Sequence, residues 1–309
     1  MQGHDLEAIC RVIGSSLCAD EISAEDFAAK VFLDLNFGPE TCLVAEMGEE
    51  VVGFLAGFVR RYAVEDMPSD ADRSWITLFA VAPDMRRQGI ATALFDEAEQ
   101  AFQRAGRSST LVGPYTPSWW TPGVDEAAYP GAIRFLEGRG YKLVTRPLSM
   151  RSDITVYSRP EWVTEKLNEL EGEGYSYSTL TAQQIPALFD FLKQEFPGDW
   201  QRHLRQTARR ILEREADPRQ IHVVQHGGEV KGFSHFEGQR FGPFGTAASL
   251  RGKGLGVTLL CITVEAMRQC GAGSAFFMWT SDQSARIYSV AGFRESRRFS
   301  LMKKDYSSQ

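Results

Sequence analysis

The sequence predicts an α/β (α+β) protein of two tandem domains, each a mixed, twisted sheet flanked by helices. Three observations lead there. A hairpin, a third strand, a loop rich in arginine and glycine, and a glycine-closed helix occur in that order twice, about half the chain apart. The 309 residues exceed what one compact core usually holds and suit two domains of about 150 residues. Hydrophobic residues at 43% and charged residues at 24% are the proportions of an ordinary folded chain.

In the first half, residues 41–62 form two β-rich runs around a Gly-Glu-Glu turn, the pattern of a hairpin. Residues 74–81 follow as a third strand. Residues 84–106 then read as loop and helix, with Ile90, Leu94, Ala98 and Phe102 on one face and Gly106 closing it. The second half repeats the plan: a hairpin at 221–238 with a Gly-Gly turn, a strand at 240–247, a loop and helix at 249–271, and a buried strand at 274–280. The halves also end alike, at residues 132–144 and 285–297. The charged, amphipathic stretch 159–174 ends in Gly-Glu-Gly and reads as a linker helix, so the expected boundaries are 1–158, 159–174 and 175–309. A strand precedes the first helix of the second half (175–184), whereas the first half offers none, which predicts an uncovered sheet edge there.

Composition excludes several classes. A net charge of −6 argues against a nucleic-acid partner, whose phosphates need a basic face. The five cysteines are odd in number and form no Cys-x-x-Cys pair, so neither a disulfide framework nor a zinc site is expected, and no His/carboxylate set has metal-ligand spacing. No run approaches the roughly 20 apolar residues needed to span a bilayer, and the first residues lack a signal-peptide plan; the expectation is a cytoplasmic protein without a membrane partner.

The chemistry is carried by the two loops. In the first, Arg86-Arg87-Gln88-Gly89-Ile90-Ala91 joins a strand to a helix; in the second, Arg251-Gly252-Lys253-Gly254-Leu255-Gly256 does the same. A helix N-terminus presents unpaired N–H groups and partial positive charge, glycines let backbone approach an anion, and Arg or Lys adds charge. A pyrophosphate fits such a loop. A Walker loop does not match, because Gly252-Lys253 is followed by Gly254, and the Rossmann Gly-x-Gly-x-x-Gly fails at Val257.

The pattern Val81-x-Pro83-x-x-Arg86-x-x-Gly89-x-Ala91 resembles the acetyl-CoA signature of the GNAT superfamily of N-acetyltransferases, and Arg251-x-x-Gly254-x-Gly256 matches its core. The second copy departs upstream, with Thr246, Ala247 and Ala248 before the loop. The resemblance covers most of the chain and is similar to the tandem type seen in mycothiol synthase-like proteins, whose N-terminal copy is the degenerate one. It implies coenzyme A diphosphate on the loops, pantetheine along the preceding strand, and direct acetyl transfer to a primary amine of a small molecule. In the family a Tyr four residues before the Gly-aromatic pair commonly serves as general acid. Before Gly292-Phe293 that residue is Tyr288; before Gly140-Tyr141 it is Leu136, which cannot donate a proton. The second domain is therefore expected to be catalytic, with Glu237 as candidate base and Asp282 as its rival. Trp200 and His203 are candidate acceptor contacts. So is Trp120, in an aromatic, Pro-rich loop (113–131) that also holds Tyr115, Trp119, Asp125 and Tyr129. Two other functions remain open at this stage: a CoA-binding regulatory protein without turnover, and a Fem-type aminoacyl transferase, which shares the doubled fold. Oligomeric state is not legible.

Overall fold

The computed structural model describes residues 1–64 and 70–306. Among them the chain forms two compact units, the first made of residues 1–64, 70–147 and 297–306 and the second of residues 148–296.

The first unit opens with a 3-10 turn (Gly3–Asp5) and α1 (Leu6–Ser16). Helix α1 buries Ile9, Val12, Ile13 and Ser16, the i, i+3, i+4, i+7 stripe of an amphipathic helix. A capping box of Ser23 and Asp26 starts α2 (Ala24–Phe27), which a π turn (Ala28–Phe32) extends. β1 (Cys42–Met47), β2 (Glu50–Val59) and β3 (Arg73–Val81) form an antiparallel meander. α3 (Ile90–Arg104) then leads to β4 (Ser109–Val112), parallel to β3. β5 (Val124–Asp125), α4 (Pro130–Gly138) and β6 (Lys142–Thr145) follow. Strand β2 is buried along nearly its whole length, and its alternation serves two layers. Phe54, Ala56 and Phe58 face α1 and α2, while Leu55 and Val59 join Phe95, Phe102 and Leu136 of α3 and α4. Each fully buried side chain of this size stabilises by about 1.5–3 kcal/mol. Residues 3–5 form a 3-10 turn and not a strand, and β1 stands at one end of the strand order.

The second unit contains β7 (Leu148–Asp153), α5 (Glu161–Gly172), β8 (Tyr175–Thr179), α6 (Ile185–Glu195), α7 (Trp200–Leu212), β9 (Ile221–His226), β10 (Glu229–Glu237), β11 (Arg240–Thr246), α8 (Leu255–Gln269), β12 (Ser274–Thr280) and α9 (Asp282–Ser289). Its strands run in the order β7-β12-β11-β10-β9-β8.

The last strand, β13 (Arg294–Asp305), belongs from Arg297 onward to the first unit. There it pairs with β4 and β6 in register Met302↔Val112 and Met302↔Leu143, and β5 continues the pairing at Phe299↔Asp125. Conversely β7, the strand that follows β6 in sequence, pairs with β12 of the second unit (Ser274↔Asp153). The terminal strands are exchanged. This division departs from the contiguous boundaries 1–158, 159–174 and 175–309. Residues 161–172 form a helix that packs within the second unit: α5 lies on α8, with Leu170 buried among Leu255 and Leu259 and Val163 buried as well.

Among the described residues no helix is long and apolar enough to cross a membrane, and no group of His, Cys, Asp and Glu is placed to hold a metal ion.

Candidate active site

The two loops have one backbone shape. In the first, Arg87 (φ 65°) and Gly89 (φ 83°) are left-handed; in the second, Gly252 (φ 83°) and Gly254 (φ 96°) take the same positions. A non-glycine residue held left-handed costs on the order of 1 kcal/mol, so the surroundings impose this turn on Arg87. Gly89 and Gly254 are the N-caps of α3 and α8, and neither helix start has a side-chain cap, so first-turn N–H groups are left for an anion. Arg86 donates from Nε to the Val81 carbonyl at 3.2 Å, tying the loop to the end of β3.

Before each loop the sheet splays. The parallel ladder of β3 and β4 ends at Ile76↔Val112, so Thr77–Val81 have no partner in β4; β11 meets β12 only at Arg240↔Phe276. What fills the two wedges differs. In the first unit there is a cavity of about 900 Å³, lined by Thr77–Val81, the 86–91 loop, Gly113, and the side chains of Asp20, Asp125, Tyr129 and Arg297. That is the size of a cofactor or ligand pocket.

In the second unit aromatic rings pack together on β11, β12 and α9 beside the wedge. Tyr288 lies 4.2 Å from Phe277, 5.6 Å from Phe244 and 6.1 Å from Phe241, centroid to centroid. Burial pushes its pKa up to about 12, against a hydrogen bond from Thr280 that lowers it. The Phe196 ring covers β11: a Cβ on Gly245 would lie 2.4 Å from Phe196 Cζ. The loop itself is crossed by the Lys166 stem of α5, whose Cε would lie 2.7 Å from a Cβ on Gly254, while Lys166 Nζ pairs with Glu169. A Cβ on Gly89 would meet nothing within 4 Å.

The remaining sequence candidates are scattered. Glu237 ends β10, more than half exposed, and pairs with Arg210 at 2.5 Å. Asp282 lies in the first turn of α9. Trp200 stacks on Phe196 at 5.1 Å, and His203 pairs with Asp199 at 3.2 Å. Burial opposes ionisation of Asp199, but hydrogen bonds from His203 and Arg202 hold its carboxyl down at about 2. Trp120 packs on the α1–α2 core with Lys30 Nζ 4.2 Å from its ring. Tyr115 is buried, stacked on Phe58, and bonded to Asp34 and Asn36. Leu136 is fully buried in the core. Of the aromatic loop, only Asp125 and Tyr129 among the residues named reach the cavity. Asp20 and Arg297, which sequence reasoning missed, complete that wall; Asp20 stands in an unpatterned turn and Arg297 far along the chain, so no local signal marks either.

Comparison with known proteins now gives the family. The model of the acetyltransferase (GNAT) family matches residues 14–115 and 185–293. The chain belongs to the GNAT acetyltransferase family. GNAT structures share its fold throughout. The GCN5-related N-acetyltransferase of Sphaerobacter thermophilus is 20% identical, covering 99% of this chain and 94% of that one with a TM-score of 0.73. The tandem GNAT protein of the clavulanic acid biosynthesis pathway is 16% identical over 99% of this chain and 96% of that one, with a TM-score of 0.61. The glucosamine N-acetyltransferase region of a fungal multi-domain GH3 β-N-acetylglucosaminidase is 17% identical and has a TM-score of 0.78, the match covering 97% of this chain but 37% of that one. Sequence comparison with curated proteins returns no match. GNAT proteins catalyse acyl transfer from acyl-CoA, and both loops of this tandem GNAT protein lie within the matched regions.

Proposed function

We propose that the first domain holds acetyl-CoA and passes its acetyl group directly to a primary amine of a small molecule. The observation that carries this reading is the open wedge beside the 86–91 loop, set against the Lys166 stem across the 251–256 loop and the ring cluster around Tyr288. Acetyl-CoA would supply an activated thioester carbonyl. Its diphosphate suits the uncapped N–H groups of Ile90, Ala91 and Thr92 and the charges of Arg86 and Arg87. The backbone edge of Thr77–Val81 that faces away from β2 has no partner in β4 and can hydrogen-bond the amides of the pantetheine arm as another strand would. The cleft has room to hold the acceptor beside the cofactor, and such orientation lowers the barrier without a covalent enzyme intermediate. Leu136 donates no proton, so this cleft lacks the tyrosine acid expected at that position; the neutral amine would form the C–N bond as the thioester C–S bond breaks, and the departing thiolate would take up the proton that the nitrogen loses. Roles for Tyr288 and Glu237 in catalysis have less support: one is packed among rings and the other is paired on the surface. Nothing in the geometry favours aminoacyl-tRNA as donor, and the net charge of −6 opposes it.

The test is native mass spectrometry with acetyl-CoA on the wild type and on Arg86→Glu and Arg251→Glu. Each reversal puts negative charge beside one loop and weakens binding there by about tenfold or more. Loss on Arg86→Glu with retention on Arg251→Glu is the expected outcome. The reverse result transfers the chemistry to the second domain, and no binding at all refutes the acetyl-CoA reading.

A further inference from the structure

The end of helix α1, the end of strand β3 and the first phosphate loop meet at one carbonyl. Val81 closes β3, and its carbonyl oxygen accepts from Arg86 Nε at 3.2 Å and from the Ser16 hydroxyl at 3.0 Å. A carbonyl oxygen has two lone pairs, so it accommodates both donors. Ser16 is the last residue of α1, buried, and 65 positions from Val81 in sequence. Ser16, Val81 and Arg86 all line the cavity, and so do Ser15, Leu17 and Cys18 at the same end of α1.

The second domain has the same places but not the same contacts. Its first helix, α6, also has 11 residues, and it ends on Glu195 where α1 ends on Ser16. Thr246 stands five residues before Arg251, as Val81 stands before Arg86. A carboxylate has no proton to donate to the Thr246 carbonyl, and Glu195 Oε2 instead accepts from the Ala248 N–H at 3.0 Å. In the first domain the residue matching Ala248 is Pro83, which has no N–H to hold a carboxylate. The Arg251 side chain makes no hydrogen bond among the described residues. One loop arginine is therefore tethered through a serine, while the other is untethered and has a carboxylate on the backbone just before it.

With Nε committed to Val81, Arg86 keeps both Nη groups for an anion, and the plane of the guanidinium is fixed before any ligand arrives. A long side chain ordered in advance loses less rotamer freedom on binding, and a fixed guanidinium suits the paired oxygens of a phosphate. We propose that Ser16 is a positioning residue for the acyl-CoA diphosphate. It holds the Val81 carbonyl, and through that carbonyl the Arg86 guanidinium, in the orientation that takes the anion. The proposal rests on the reading of the first cleft as the acyl-CoA site. It gives α1 a part in cofactor binding although no charged group of that helix reaches the loop.

The experiment is calorimetric titration of acetyl-CoA into the full chain and its variants, with thermal melting of each. Ser16→Ala should weaken acetyl-CoA binding by about threefold to tenfold. Ser16→Thr keeps the hydroxyl and should stay within about twofold of the wild type. The decisive comparison is a double-mutant cycle with Arg86→Ala, where no guanidinium is left to position. Adding Ser16→Ala to that background should cost less than about twofold, a non-additivity that a purely structural serine would not show. Ser16→Cys, with a similar volume and a weaker donor, carries the same comparison if the alanine variant does not fold. Unchanged affinity in the folded Ser16 variant overturns the proposal, as does a loss of equal size with and without Arg86; in either case acetyl-CoA binding that depends on Arg86 leaves the reading of the cleft standing. Absence of acetyl-CoA binding to the wild type, or binding removed by Arg251→Glu and not by Arg86→Glu, sinks that reading and the proposal with it.

Discussion

Gly123 gives the sharpest test of how the exchanged strand is seated. A Cβ at this position would lie 2.4 Å from the Ser300 carbonyl oxygen, 2.7 Å from its carbon and 2.8 Å from the Leu301 nitrogen. All three are main-chain atoms of β13, so no side-chain rotation relieves the overlap. Nor can the strand withdraw freely, since Ser300 pairs with Val124 and Met302 pairs with Val112 and Leu143. Gly123→Ala therefore incurs overpacking strain of about 1–3 kcal/mol. Yielding one or two ladder hydrogen bonds adds about 1 kcal/mol each, for a total of roughly 2–5 kcal/mol. In a domain of this size that lowers Tm by roughly 5–15 °C. Gly138→Ala is the matched control. It sits in α4 with nothing within 4 Å of an added Cβ, so the same substitution should stabilise by about 0.5–1 kcal/mol. Urea unfolding followed by circular dichroism measures both. A loss below about 0.5 kcal/mol for Gly123→Ala would refute the seating of β13 against this turn.

Acid should weaken the second domain through two buried histidines. Desolvation lowers His222 and His235 from 6.5 to about 4, so the unfolded chain binds protons first; stability should fall as pH drops from about 6.5 toward 4, and His222→Asn should flatten that slope in urea titrations at successive pH values. Asp199 has the carboxylate sign: its folded pKa of about 2 lies below 3.8, so its contribution is present above 3.8 and lost as pH falls toward 2. Asp199→Asn should lose on the order of 2 kcal/mol at pH 6 and only a few tenths of a kcal/mol near pH 2, with an equal deficit at both pH values counting against the ion pairs.

Much of this protein is legible in local sequence. The doubled hairpin-strand-loop-helix order is a matter of hydrophobic period and turn residues, and those signals act within a few residues of one another. The loops were legible for the same reason: Gly89 and Gly254 are left-handed because a turn into a helix requires it, and Arg86 and Arg251 stand beside them. The absence of a strand period in residues 1–10 is likewise a local pattern, and those residues fold as a turn and the start of α1. The packing difference on which the proposed function rests is not local. Leu136 and Tyr288 promised chemistry in the second domain, yet Tyr288 packs among Phe241, Phe244 and Phe277 and the Lys166 stem crosses Gly254. Whether a side chain fills a wedge or lines it depends on volumes delivered by distant segments, which periodicity does not encode. The strand exchange is of the same kind. Residues 148–153 and 297–305 both present a row of backbone N–H and C=O groups, and a ladder accepts either. Only the competition of whole-chain packings assigns β13 to the first domain, and with it brings Arg297 beside Asp20 and Asp125.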